Sequence, residues 1–379
     1  MKWELKTLDE LGFVGRGKSR HRPRNAEHLY GGVYPFIQTG DIQKANFYIN
    51  EYSQTYSEAG LAQSKLWQEG TMVISIVGAN TAETAILAFD ACFPDSVIGF
   101  VPDKNEADVK FVKYNLECWK VHLKSISEGT ARENLSLEKL LSIRIPTPPL
   151  PTQRKLATIL TAYDDLIENN LKRKKLLEEK LMLEYSILED ESQNAIEQNF
   201  SDFVHFIKGI EPGSGNYLSE KSEGTIPFLR VGDLSKRESD IFIEKSNSKG
   251  IICHPNDVLI SMDGTIGIVK YGNYGCYSSG IRKAVSNGIL NNAYIFCYLT
   301  SKRIQGVIYT HSKGSTIQHA SSSINHFKIR LPKESSLKGF MEMADTLYSL
   351  MINLLKQNTK LREARDILLP RLMSGEIEV

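Results

Sequence analysis

The clearest pattern in the chain is a heptad repeat of apolar positions near its C-terminus. Leu347, Leu354, Leu361 and Leu368 recur at strict seven-residue spacing, with Met351 and Asn358 between them. Sustained heptads of this kind predict a helix with a coiled-coil seam. A second run, TQRKLATILTAYDDLIENNLKRKKLLEEKLMLEYSILEDE, carries Leu160, Ile167, Leu181 and Leu188 in the same spacing, broken by Lys174, with Tyr163, Asn170 and Leu177 between. One such stripe reads equally well as a helix facing a globular core. Two matching stripes, each with one asparagine, favour mutual pairing, in which a buried Asn fixes register at some cost in stability.

Outside these runs the chain repeats itself. YPFIQTGDIQ and IPFLRVGDLS place Gly40-Asp41 and Gly232-Asp233 192 residues apart. Ser75-Ile76-Val77-Gly78 and Ser261-Met262-Asp263-Gly264 lie 186 apart, as do EGTARENLSLEKLLSIRIP, ending at Pro146, and KGSTIQHASSSINHFKIRLP, ending at Pro332. Matches that keep their order are two copies of one plan, with insertions in the loops. The body of each copy is strand-rich, with runs such as TMVISIV and DVLISM broken by Gly, Pro, Asn and Asp. The predicted class is α+β: two pseudo-repeated mixed α/β domains, 1–150 and 193–334, separated by two long helices that form an antiparallel coiled coil. The helices fall at 151–192 and at 335–379, the second with a C-terminal tail.

Geometry suggests a use. A helix of about 35 residues is about 50 Å long, so a pair makes a stiff spacer. Run antiparallel, it relates the two domains by a pseudo-twofold axis. Twofold readers of B-DNA place half-sites about one turn apart. Because the two domains differ in sequence, their half-sites should differ too.

Composition adjusts this picture only slightly. The chain has 379 residues, 41% hydrophobic and 24% charged, ordinary for globular protein and enough for two or three domains. No apolar run approaches the roughly 20 residues needed to cross a bilayer, and MKWELKTLDEL is not a secretory signal. Five scattered cysteines form no C-x-x-C pair, so a reducing cytoplasm is the expected home. A net charge of +1 is low for a lone nucleic-acid binder, whose affinity comes largely from phosphate neutralisation; it fits a chain whose partners supply part of the positive surface.

Catalytic readings fare poorly. GFVGRGKS, Gly12 to Ser19, fits the letters of a phosphate-binding Walker A loop, and AILAFD ends in Asp90 as a Walker B strand would. That motif needs an apolar strand before it and a helix after it. LKTLDEL is too polar for the first, and RHRPRN, with Pro23, is unsuited to the second. There is no Asn-Pro-Pro-aromatic or Asp-Pro-Pro-aromatic tetrapeptide to hold a flipped base, and the eight histidines show no metal-ligand spacing.

Candidate DNA contacts are easier to find. Arg16, Lys18, Arg20, His21, Arg22 and Arg24 form the densest basic cluster. A charge run is usually a solvated face, but the Gly-rich flanks favour a phosphate-contacting loop. Arg or Lys can pair with guanine, and Asn or Gln with adenine. Gln38 and Thr39 precede the Gly40-Asp41 turn, and Arg132 and Asn134 follow Gly129. The second copy offers Arg230 at the position of Gln38, and Lys313, Ser315, Thr316, Gln318 and His319 in its equivalent polar loop. The alternative for Gln38 and Arg230 is burial as partners of the Gly-Asp turn.

These residues carry a resemblance. PLPTQRKLATILTAYDDLIENNLKRKKLLEEKL, with Gln153-Arg154 and Asp164-Asp165, resembles the first conserved region of type I restriction-modification specificity subunits; ILLPRLMSGEIEV resembles the close of the second. YPFIQTGDIQ and IPFLRVGDLS resemble the start of the family's target recognition domains. The second copy departs from the pattern after Pro332, having Ser336-Leu337-Lys338 in place of a Gln-Arg pair. The resemblance implies a non-catalytic, cytoplasmic subunit that reads a bipartite, asymmetric double-stranded DNA site. It implies two methyltransferase subunits bound through the conserved helices, then restriction/translocase subunits, for methylation and host defence. Adenosylmethionine, ATP and magnesium would belong to those partners, with no cofactor, metal or membrane contact in this chain. The rivals are a free-standing regulator that dimerises through its leucine stripe and a P-loop ATPase. An internal repeat already supplies both halves of a pseudo-dimer, which counts against the regulator.

Overall fold

A computed structural model describes residues 3–128, 134–235, 239–312 and 318–379. The chain divides into two compact units, residues 1–168 with 359–379, and residues 169–358. Two long helices, Leu150–Glu191 and Glu334–Met373, contribute to both.

In unit 1 the apolar run MVIS forms a fully buried strand, Met72–Ser75. It lies inside a five-stranded sheet ordered Gly12–Arg16, Val97–Pro102, Met72–Ser75, Thr84–Leu87, Tyr48–Ile49. A second sheet runs Gln54–Tyr56, Tyr30–Phe36, Ala91–Cys92, Leu66–Trp67, and Glu4–Lys6 pairs with Ile145–Thr147. Helix Val109–Glu128 lays Phe111, Val112 and Leu116 on the core, which also holds Leu156 and Leu160 of the first long helix and Leu372 and Met373 of the second.

Unit 2 repeats this order of strands, without a counterpart of Tyr48–Ile49. One sheet runs Val204–Lys208, Ile281–Ser286, Val258–Ser261, Val269–Lys270; the other runs Phe242–Glu244, Thr225–Leu229, Gly275–Tyr277, Ile252–Cys253; and Glu197–Asn199 pairs with Lys328–Arg330. The registers match as well. Phe36 pairs in parallel with Cys92 as Phe228 does with Cys276, and Leu66 and Ile252 pair antiparallel with the same cysteines. The repeat read in the sequence is therefore a repeat of topology. Helix Asn292–Thr300 is buried from Ala293 through Leu299, with its N-terminus capped by Asn291. Among the described residues no helix is long and apolar enough to cross a membrane.

Within each unit the long helices pack antiparallel. In unit 2 Asn170 donates to Asn358 at 2.8 Å, Glu178 and Met351 both meet the Tyr271 hydroxyl, and the Tyr185 and Phe340 rings lie 6.0 Å apart. The two asparagines, 7% and 1% exposed, satisfy each other inside the stripe. Leu181, Leu347, Met351 and Leu354 are buried beside them, and Leu177 is half-buried. Lys174, which breaks the leucine spacing, reaches Glu178 at 2.6 Å and lies over the Tyr271 ring.

In unit 1 Leu160 and Ile167 are buried, and Leu361 and Leu368 are half-buried. Between Leu160 and Ile167 both Thr161 and Asp164 are buried, and Tyr163 is half-buried. The carboxylate is buried because it is paired: Asp164 accepts hydrogen bonds from Tyr114 and from Arg365 of the other helix. A second ionic network stands on helix Val109–Glu128. Burial pushes the Glu117 carboxyl up, but Lys113 at 2.9 Å, Lys120 and the Thr84 hydroxyl outweigh it and hold it down at about 2. A depressed carboxylate stabilises the fold above its ordinary value of 4.5, and that contribution disappears as pH falls toward 2. The expected loss is up to about 3 kcal/mol. In acid unfolding, Glu117→Gln should be less stable than the parent at neutral pH and converge with it near pH 2; a gap independent of pH would refute the assignment.

Candidate nucleic-acid interface

The basic cluster begins on a strand and leaves it through a forced glycine. Arg16 ends strand Gly12–Arg16, and a Cβ on Gly17 would lie 2.3 Å from the Phe93 carbonyl oxygen. Gly209, its counterpart, would place one 2.1 Å from the Ser278 carbonyl oxygen. The glycine thus serves close backbone approach in both copies. No helix occurs from Gly17 to Ala26, so the Walker-like letters lack the helix start that phosphate binding needs.

The loop is held by a segment the sequence did not connect to it. Gln63 accepts from the backbone N–H groups of Arg20 and His21, and the Ser64 hydroxyl donates to the Lys18 carbonyl. Six candidates then separate into two groups. Arg22 donates to the Ser19 and His21 carbonyls at 2.8 Å, Arg24 donates to both oxygens of Asp95 at 2.9 Å, and the half-buried His21 packs edge-on against His28. These three shape the loop. Arg16, Lys18 and Arg20 are exposed and have no ion-pair partner among the described residues. Lys65 joins their patch: its Nζ lies 3.6 Å from the Trp67 ring centroid and 4.6 Å from that of Phe13, and burial together with Lys18 lowers its pKa. A lone lysine far from the cluster in sequence gave no sign of this.

Unit 2 differs at the equivalent loop. Lys208 ends the strand, but the chain continues Gly209-Ile210-Glu211, and Glu211 accepts from the N–H and hydroxyl of Ser279. Beyond the strand its loop carries an acid, Glu211, where the charged residues in that of unit 1 are all basic.

The Gly-Asp turns prove to be helix starts. Thr39 opens helix Thr39–Lys44, and Gln38 donates its backbone N–H to Asp41 at 2.8 Å. Arg230 precedes the 3₁₀ turn Val231–Ser235 and donates its N–H to Asp233 at 3.0 Å. Gln38 is half-buried; Arg230 is exposed, so burial as a partner of the turn does not describe it.

The two polar loops return to equivalent places. Asn134 bridges to Val77, and Leu135 N–H donates to the Ile76 carbonyl. Gln318 and His319 pair with Gly264 and Asp263, Ala320 N–H donates to the Met262 carbonyl, and the His319 ring meets Asp263 at 2.7 Å. Arg132, Lys313, Ser315 and Thr316 lie outside the described residues.

Gln153 has a role the motif alone did not disclose. It is 1% exposed, accepts from Asp108 N–H, and donates to the Glu106 and Pro148 carbonyls, which fixes the start of the first long helix; Arg154 is exposed.

Comparison with known proteins agrees with this architecture. The family described as Type I restriction modification DNA specificity domain matches residues 1–179 and 199–361. The chain is 24% identical, across its full length and 94% of the relative, to the type I restriction enzyme MjaIX specificity subunit of Methanocaldococcus jannaschii. It is 28% identical over 176 residues, 46% of the chain and 40% of the relative, to the MjaVIII specificity subunit of the same organism. The crystal structure of the type I S subunit from M. genitalium shares the fold, with a TM-score of 0.52 at 18% identity over 98% of this chain and 96% of that one.

Proposed function

The chain belongs to the type I restriction-modification DNA specificity family, and from that premise we propose that it reads a bipartite, asymmetric DNA site, one half-site with each unit. The observation that carries this reading is the duplicated topology dressed with unlike polar side chains: Gln38 against Arg230, Asn134 against His319, and a cationic loop against one that carries Glu211. One strand plan with different polar groups at matching positions is what two readers of different sequences require.

The chain itself is non-catalytic in this reading. Methyltransferase subunits dock on the long helices, restriction/translocase subunits join them, and adenosylmethionine, ATP and magnesium are held by those partners. Exposed Leu176, Leu183 and Ile187 of the first long helix, and Leu350 of the second, lie outside the apolar seam. Apolar side chains on otherwise polar helix faces suit partner docking. The net charge of +1 also fits shared DNA binding, with partners supplying further phosphate contacts.

Single-molecule methylation sequencing of the host, with and without the gene, tests the function and returns the target. Exchanging residues 1–150 for those of a relative should then change one half-site and leave the other intact. A change in both halves, or in neither, would overturn the modular reading.

A further inference from the structure

Gln38 and Arg230 occupy the same place in the two units, each the last residue before a turn capped by an aspartate three residues on. In unit 2 the capping oxygen does more. Asp233 Oδ2 accepts both the backbone N–H of Arg230 and its Nε–H, the latter at 3.2 Å, and the Asp233 side chain is 1% exposed. A buried carboxylate thus holds one edge of a guanidinium whose side chain is 44% exposed. Both Nη groups of Arg230 are without a partner among the described residues. Since the guanidinium is planar and rigid, fixing Nε also fixes the direction in which the Nη donors point.

The equivalent amide in unit 1 is held differently. Gln38 Nε2 donates to Gln54 Oε1 at 2.6 Å. That leaves Gln38 one amide hydrogen, and its carbonyl oxygen, which also faces the Asp41 N–H of the capping box, keeps a second lone pair: a donor beside an acceptor.

The neighbourhood of Arg230 contains the other candidate reader of unit 2. A Cβ on Gly280 would lie 2.8 Å from Val231 Cγ2 and 3.3 Å from Asp263 Cβ. Glycine at this position therefore lets the chain at Gly280 lie against both the Arg230 turn and Asp263, which in turn holds His319. Two segments far apart in sequence meet at one patch.

In the major groove guanine shows two acceptors, O6 and N7, while adenine shows a donor at N6 beside an acceptor at N7. Two parallel donors match the first, and a donor beside an acceptor matches the second. We propose that positions 38 and 230 determine specificity: Arg230, positioned by Asp233, reads a guanine in the half-site of unit 2, and Gln38, positioned by Gln54, reads an adenine in the half-site of unit 1. This rests on the bipartite reading above and assigns bases within it.

The test uses the complex with its methyltransferase subunits and duplexes carrying the site returned by methylation sequencing. Guanines are replaced one at a time by 7-deazaguanine, which lacks the N7 acceptor. One replacement, in the half-site that the domain exchange assigns to unit 2, should weaken binding about tenfold. Arg230→Ala should weaken binding to the parent duplex by a similar factor, and the analogue should then cost nothing further. Arg230→Gln should move the preference at that base pair from guanine toward adenine. Asp233→Asn should narrow discrimination at that base pair while guanine stays preferred. If Arg230→Ala remains equally sensitive to every analogue, the assignment is wrong although the bipartite reading stands. If no two-part methylated site exists, the bipartite reading itself fails and takes the assignment with it.

Discussion

Replacing Arg16, Lys18 and Arg20 together by alanine is expected to weaken DNA binding by the assembled complex by about a hundredfold at about 0.15 M salt. The three side chains are exposed and without ion-pair partners among the described residues, whereas Arg22 and Arg24 are tied to carbonyls and to Asp95. Each phosphate that is no longer neutralised takes about 0.9 from the slope of log affinity against log salt, so three of them should lower that slope by roughly 2.7. The weakening should be similar on cognate and unrelated duplexes, because phosphate contacts carry no base information. Fluorescence anisotropy titrations over a range of salt would show it. An unchanged slope would mean that the loop faces solvent. Arg24→Ala is the internal control: its charge is already met by Asp95, so the slope should move much less.

The largest stability effect is expected at Asp164. This carboxylate is fully buried and accepts from Tyr114 and Arg365. Asp164→Ala strands a guanidinium only 19% exposed and a phenol 2% exposed. Removing one partner of a buried pair typically costs about 3–5 kcal/mol. Arg365 keeps Asp366 at 2.8 Å, which places the expectation near the lower end, about 3 kcal/mol. That corresponds to a fall in Tm of roughly 6–12 °C. The double replacement Asp164→Leu with Arg365→Leu should recover most of the stability, since a buried pair exchanged for apolar groups is often neutral. Calorimetry showing equal destabilisation in the single and double variants would dispose of the pairing argument.

Much of the fold was legible because two periodicities are strong. The heptads of Leu347, Leu354, Leu361 and Leu368 announced a seam, and the ordered matches around Gly40 and Gly232 announced a duplication that the strand orders repeat. Other elements left no such trace. Strands of two residues, such as Tyr48–Ile49 and Leu66–Trp67, are too short for any period. Helix Asn292–Thr300 is apolar on every face and so has no stripe. The burial of Asp164 left no trace because a carboxylate beside an apolar stripe reads as exposed until its partners, 50 and 201 residues away, are known. The candidate site was legible as residue types but not as roles. Nothing in RGKSRHRPR distinguishes the cations that close the loop from those left free, because Asp95, Gln63 and Lys65 lie far along the chain.

The two units differ in one respect that concerns the order of synthesis. Unit 2 is a single continuous stretch, 169–358, and can bury its core as soon as it has left the ribosome. Unit 1 is begun first but needs residues 359–379, and its core encloses Leu372 and Met373. Unit 1 must therefore wait, with part of its apolar surface uncovered, until residues 359–379 have been made. A chain interrupted before Leu372 would thus leave open the core of the unit whose synthesis began first, although every strand of that unit had already been made.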